Sequence, residues 1–183
     1  MPYYYWDPTY ILVLIGALLS VGASALVNRT FNRYSSVYAR SGLTGAQAAQ
    51  KLLHSQGIYD VQIQHISGSL TDHYDPRNKT LSLSDAVYNA TTVAAIGVAA
   101  HECGHAVQHA RNYVPLSVRS AIVPVANFGS QLSWPLFLAG LIFSFRPLLM
   151  IGILLFCAAL LFQIVTLPVE FNASARALRM LDE

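Results

Sequence analysis

Ala99-Ala100-His101-Glu102-Cys103-Gly104-His105-Ala106-Val107-Gln108 is the stretch whose reading decides what this chain is. It lies inside a proline-free run that predicts one long helix from about Thr91 to Asn112. The apolar part of that run, Val93 to Ala100, is too short to cross a bilayer, so the helix belongs in a buried core. On a helix, a step of four residues is about 400° of rotation and a rise of ~6 Å. His101 and His105 therefore project from one face and can share one zinc ion. Glu102 lies one residue further round, beside that ion, where it can take a proton from a zinc-bound water whose pKa the metal lowers to roughly 7. The chain has three glutamates, Glu102, Glu170 and Glu183, and one of them falls in the slot this chemistry requires. The plainer alternative is a buried helix with two solvent-capped histidines.

A catalytic zinc needs a third protein ligand and an open position for water. His109 is one candidate, but eight residues from His101 is a rise of ~12 Å, too far for one ion with bonds of ~2.1 Å. Glu170 is the other. The sequence places it at the start of a helix, Glu170 to Arg176, just after Pro168. A carboxylate at a membrane edge, in a chain nearly devoid of them, wants a partner, and zinc is a good one. Otherwise Glu170 snorkels or pairs with Arg176. For the group that would steady a developing oxyanion, His73, Tyr74, Tyr113 and Arg176 are all open candidates. Cys103 faces away from the two histidines and reads as a small buried apolar residue; with Cys157 as the second cysteine, a disulfide scaffold and a four-cysteine metal site are excluded.

The rest of the chain reads as a membrane protein. Of 183 residues, 54% are hydrophobic and 11% charged, too little charge to cover a soluble globule. A net charge of +2 argues against a nucleic-acid partner. Tyr10 to Val27 is an uncharged apolar run of about the length needed to span a bilayer. Met1 to Thr9 lacks the basic residues of a signal peptide and carries Tyr3, Tyr4, Tyr5 and Trp6, an interfacial aromatic belt, so an uncleaved anchor is expected. A second apolar block, about Ala121 to Val169, is broken at Arg146-Pro147. It divides into a span that starts near Phe128 to Leu132 and ends at Phe145, and a span from Leu148 to Leu167.

Arg29, Arg33, Arg40, Arg111, Arg119, Arg176 and Arg179 flank the spans on one side and Arg146 lies on the other, which predicts a cytoplasmic segment between the first and second spans. That segment reads as a small α+β unit. Thr44 caps a helix over Gly45 to Ser55, Val61 to His65 alternates as a strand, and Leu70 to Tyr74 with Thr80 to Leu83 forms a hairpin. The expected fold class is an α+β membrane protein. It has a zincin-like helical catalytic unit, a small β-hairpin or sheet and about three transmembrane helices. The expected divisions are 1–28 (anchor), 29–120 (zincin-like unit), 121–169 (transmembrane hairpin) and 170–183 (helix with the third ligand).

Taken together, the anchor, Asp72-His73-Tyr74-Asp75-Pro76, Ala100 to Gln108 and Pro168-Val169-Glu170-Phe171-Asn172-Ala173-Ser174 resemble the YugP-like neutral zinc metallopeptidases, bacterial membrane proteins, over nearly the whole chain. Less closely, the site is similar to the HtpX-type and CAAX prenyl membrane proteases, in which a Glu on a later helix is the third ligand. Those carry an Asp four residues after that Glu, where this chain has Ser174. The YugP-like pattern also continues into a further membrane segment, whereas this chain ends at Glu183. The resemblance implies an integral-membrane zinc endopeptidase, acting on a peptide or protein substrate at the cytoplasmic face. One zinc per chain would be held by His101, His105 and Glu170, with Glu102 as base. His73 and Tyr74 lie on the hairpin strand where such peptidases tend to place substrate, or else only pack the hairpin, and Arg176 stays an open candidate for the substrate or oxyanion contact. The competing expectation is a non-catalytic zinc-binding scaffold or sensor. It sits less well with three ligands, since structural zinc sites are closed by four.

Overall fold

The computed structural model describes residues 9–182; the belt residues Tyr3 to Trp6 and the terminal Glu183 lie outside them. The chain opens with α1 (Thr9–Ser35), a single helix that runs past the expected end at Val27 and carries Arg29 and Arg33 in its last two turns. Its apolar side chains, Leu12, Val13, Leu18, Leu19 and Val21 among them, are exposed along its length.

A small α+β unit follows. Thr44 starts α2 (Gly45–Ser55) by a capping box: its Oγ1 accepts from Gln47 N–H while Gln47 Oε1 accepts from Thr44 N–H. The three strands β1 (Gln62–Ile66), β2 (His73–Asp75) and β3 (Thr80–Ser84) form one sheet in the order β1-β3-β2. The expected hairpin is present as the antiparallel β2–β3 pair, with Tyr74 opposite Leu81. It is shorter than expected, because Leu70 takes a left-handed backbone (φ 56°) and Asp72 turns its carboxylate onto the N–H and hydroxyl of Ser84. The strand expected at Val61 to His65 pairs parallel to β3, a connection that alternation within one strand does not encode. Leu81 and Leu83 of the central strand are fully buried beside Ala49 and Leu53 of α2 and the inner face of α3 (Val93–Ala110), Ala95, Ala99, Cys103 and Ala106.

Thr92 caps α3, accepting from Ala95 N–H. Past its end, Asn112 (φ 52°) turns the chain into α4 (Val114–Ile142). The turn at Phe143 to Phe145, with Ser144 at φ 51°, then reverses it into α5 (Arg146–Asp182), where a break at Arg146-Pro147 was expected. The two long helices lie against each other so closely that a Cβ on Gly152 of α5 would press on the backbone of Phe137 in α4.

Two expectations are revised. Among the described residues two helices, α1 from Tyr10 and α5, are long and apolar enough to cross a membrane. The run expected to be the middle span falls within α4, where Asn127, Gln131 and Pro135 dilute its apolar character below that measure. The helix expected to begin at Glu170 is the continuation of α5, which passes through Pro168 unbroken. A proline inside a helix removes one N–H and crowds the preceding turn. Here the turns beyond it are held by burial of Val169, Ala173, Ala177 and Met180.

Candidate metal centre

The centre is made where α5 crosses α3. Gly104, between the two histidines of α3, is the contact point: a Cβ there would run into the carbonyl group of Ala173 on α5. Ala100, Ala173 and Val169 are fully buried around it, so two backbones meet across small side chains. Ala173 and Glu170 are three residues apart on α5, a spacing that puts them on the same face. Seating Ala173 on Gly104 therefore carries Glu170 to the histidines.

His101 and His105 stand one turn apart with their rings edge to face, centroids 4.9 Å apart. Glu170 Oε2 lies 3.2 Å from His101 Nε2 and 3.4 Å from His105 Nε2. A tetrahedral ion with bonds of roughly 2.0–2.1 Å separates its ligand atoms by about 3.3–3.4 Å. The donors, two imidazole nitrogens and one carboxylate oxygen, suit zinc in kind as well as in spacing. Among the described residues His101, His105 and Glu170 form the group that could hold a metal ion, and His109 is not part of it.

The histidines are oriented from behind. Gln108, fully buried, gives its Nε2 protons to the Val169 carbonyl (2.8 Å) and to Asn172 Oδ1 (3.0 Å). Its Oε1 therefore faces His105 Nδ1 at 3.0 Å and can only accept. His105 must carry its proton on Nδ1, which leaves the Nε2 lone pair toward Glu170 and the shared ion position when the ring is neutral. His101 Nδ1 lies 3.1 Å from Ser174 Oγ, a hydroxyl that can receive its proton in the same way. Ser174 thus stands behind a histidine at the position for which no carboxylate could be expected.

Glu102 is largely buried, and desolvation pushes its carboxyl above the ordinary carboxylate range, opposed by the charges of His105 and His101. The remaining expected residues face elsewhere. Tyr74 OH is 2.8 Å from His109 Nδ1, and burial pushes its phenol up to about 12. His73 Nδ1 donates to the Thr71 carbonyl at 2.9 Å. Arg176 Nε donates to Asn172 Oδ1 at 2.8 Å, and its guanidinium lies over the Tyr113 ring. Glu170 does not pair with Arg176. Its partner is Arg119 of α4, with Nη2 3.2 Å from Oε1. In the sequence Arg119 reads only as a charge beside an apolar run. Gln108 and Asn172 were also missed, although Gln108 lies one turn beyond His105, the position from which a side chain reaches back to it.

Over residues 9–183 the chain matches the family described as "Putative neutral zinc metallopeptidase". The "Putative membrane protease YugP" of Bacillus subtilis (strain 168) is 47% identical over 169 residues, which cover 92% of this chain and 75% of that protein. No solved structure matches.

Proposed function

This chain belongs to the neutral zinc metallopeptidase family, and on that premise we propose that it is an integral-membrane zinc endopeptidase whose water nucleophile is activated by Glu102. One observation carries the reading: three donors of the right kind stand at the spacing of a tetrahedral site, and a second carboxyl group, Glu102, is buried next to them without belonging to the set. A bound zinc would supply an activated water and polarise the scissile carbonyl. His101, His105 and Glu170 would hold it, one ion per chain, as two histidines on one helix and a carboxylate on a later one, the gluzincin pattern. Three ligands leave a position free.

Glu102 serves as the base and then the acid. Its burial favours the protonated form, so it is a better proton acceptor than a surface carboxylate and passes the proton on to the leaving amine. The substrate is a peptide or protein segment reaching the α3–α5 crossing. The two apolar helices and the naming of the relative as a membrane protease support a chain seated in the bilayer. The seven-to-one bias of flanking arginines supports a multi-pass topology with the centre at the cytoplasmic face.

The test is cleavage of an unfolded protein such as casein by the purified chain, with and without a chelator, alongside Glu102→Gln. The expected result is chelator-sensitive cleavage, and a variant that keeps its zinc but turns over roughly 10²–10⁴ times more slowly. Unchanged turnover in that variant removes Glu102 from the mechanism. Zinc binding without cleavage in either form leaves the non-catalytic scaffold.

A further inference from the structure

We propose that Arg119 is a positioning residue of the metal centre: from α4 it takes up one oxygen of Glu170 and so presents the other, alone, to the two histidines. The proposal rests on the reading of His101, His105 and Glu170 as the zinc ligands. The two oxygens of Glu170 are divided cleanly. Oε2 faces His101 and His105 at 3.2 and 3.4 Å, while Oε1 faces Arg119 Nη2 at 3.2 Å. A carboxylate without a second partner can turn about its terminal torsion, which is broad and two-fold, and offer either oxygen or both. Glu170 is about one-third exposed, so packing alone does not stop that rotation.

The neighbouring cation does not compete for the role. Arg176, six residues along the same helix, is committed to Asn172 and to the face of Tyr113. Among the described residues Arg119 is the Lys or Arg in an ion pair with Glu170. Its backbone is well placed to hold the guanidinium still. It lies in the first two turns of α4, tied back to α3 by the bond from Tyr113 N–H to the Gln108 carbonyl and by burial of Leu116. A guanidinium next to a cation site also has a cost, because its charge opposes the ion. Orientation and repulsion therefore predict opposite effects of removing it, and the sign of the change decides between them.

The experiment compares the full chain in detergent with Arg119→Ala and Arg119→Lys. Zinc affinity is measured by competition with a chromophoric chelator, and the visible spectrum of the cobalt-substituted protein reports coordination. Loss of a residue that orients a ligand typically costs 10–100-fold in metal affinity. Arg119→Ala should show a loss in that range, with a cobalt spectrum altered as Glu170 turns its second oxygen inward. Arg119→Lys, which retains the charge on one nitrogen but not the planar guanidinium, should recover part of both. Wild-type or tighter zinc affinity in Arg119→Ala, with an unchanged cobalt spectrum, overturns the proposal. If that variant does not fold, Arg119→Gln takes its place: lower affinity with an altered spectrum supports the proposal, and wild-type affinity and spectrum overturn it. A wild-type chain that binds no zinc overturns the ligand set itself and this proposal with it.

Discussion

Replacing Gly104 by alanine separates the stability of the fold from the geometry of the centre. The added Cβ would stand 3.0 Å from the carbonyl carbon and 3.2 Å from the Cα of Ala173, and closer still to its oxygen. Carbon atoms in contact prefer about 3.5–4.0 Å. All three neighbours are backbone, so no rotamer change relieves the overlap, and α5 must move off α3 by about 0.5–1 Å. Overpacking of this kind costs about 1–3 kcal/mol. Against it stands about 1 kcal/mol gained on replacing glycine by alanine inside a helix. The net cost is about 0–2 kcal/mol, a fall in Tm of only a few degrees for a chain of this size.

The centre has no such compensation. Glu170 rides on the same helix, so distances of 3.2 and 3.4 Å to the histidines become about 4 Å, outside the span of one tetrahedral ion. Gly104→Ala should therefore lose about 10–100-fold in zinc affinity while the metal-free protein unfolds within a few degrees of wild type. Chelator competition and thermal unfolding in detergent measure the two. Wild-type zinc affinity in a folded Gly104→Ala variant would refute the argument that this crossing sets the donor distances.

Two further outcomes follow from the same description. In the metal-free chain His101 is held above its ordinary value, chiefly by its hydrogen bond to Glu170, with burial opposing and the Glu102 charge assisting. A raised histidine pKa stabilises the fold below about pH 6.5 and loses that contribution as pH climbs through the raised value. Zinc must displace the same proton, so the rise in Tm on adding zinc should grow between about pH 6 and 8; a rise that is flat with pH over that range counts against it. For topology, single cysteines in place of Lys79 and Arg146, with Cys157 changed to serine, should react differently with a reagent outside intact cells. Position 146 should label and position 79 should not, and the reverse pattern inverts the proposed orientation.

The parts of the site that were legible in the sequence are those that covalent spacing determines. His101, Glu102 and His105 are one helical turn, and any helix puts the two imidazoles together. Glu170 was legible by scarcity, as one of three glutamates in the chain. Arg119, Gln108, Asn172 and Ser174 take their roles from how α3, α4 and α5 cross, and nothing in their local sequence states that crossing. The same holds for the sheet. The β2–β3 pair lies within one short connection and was expected, while the parallel β1–β3 pair depends on a tertiary return. Pro168 misled for a local reason. Its cost to a helix is real, but the burial of Val169 and Ala173 directly after it outweighs that cost, and the helix continues.

That continuity makes α5 a single helix, 37 residues from Arg146 to Asp182, whose backbone comes close to α3 where Ala173 meets Gly104. The apolar part lies on one side of that crossing and Met180, buried in the core, on the other. Helices in bilayers change tilt as membrane thickness changes. A tilt of about 5° pivoting at Ala173 swings Leu148, twenty-five residues away, by roughly 3 Å. Glu170 is three residues from the pivot, so the same tilt moves it by roughly 0.4 Å. In the proposed membrane seating, Glu170 thus lies where leverage is smallest, and a tilt that moves the long apolar arm by several ångströms leaves the donor almost in place.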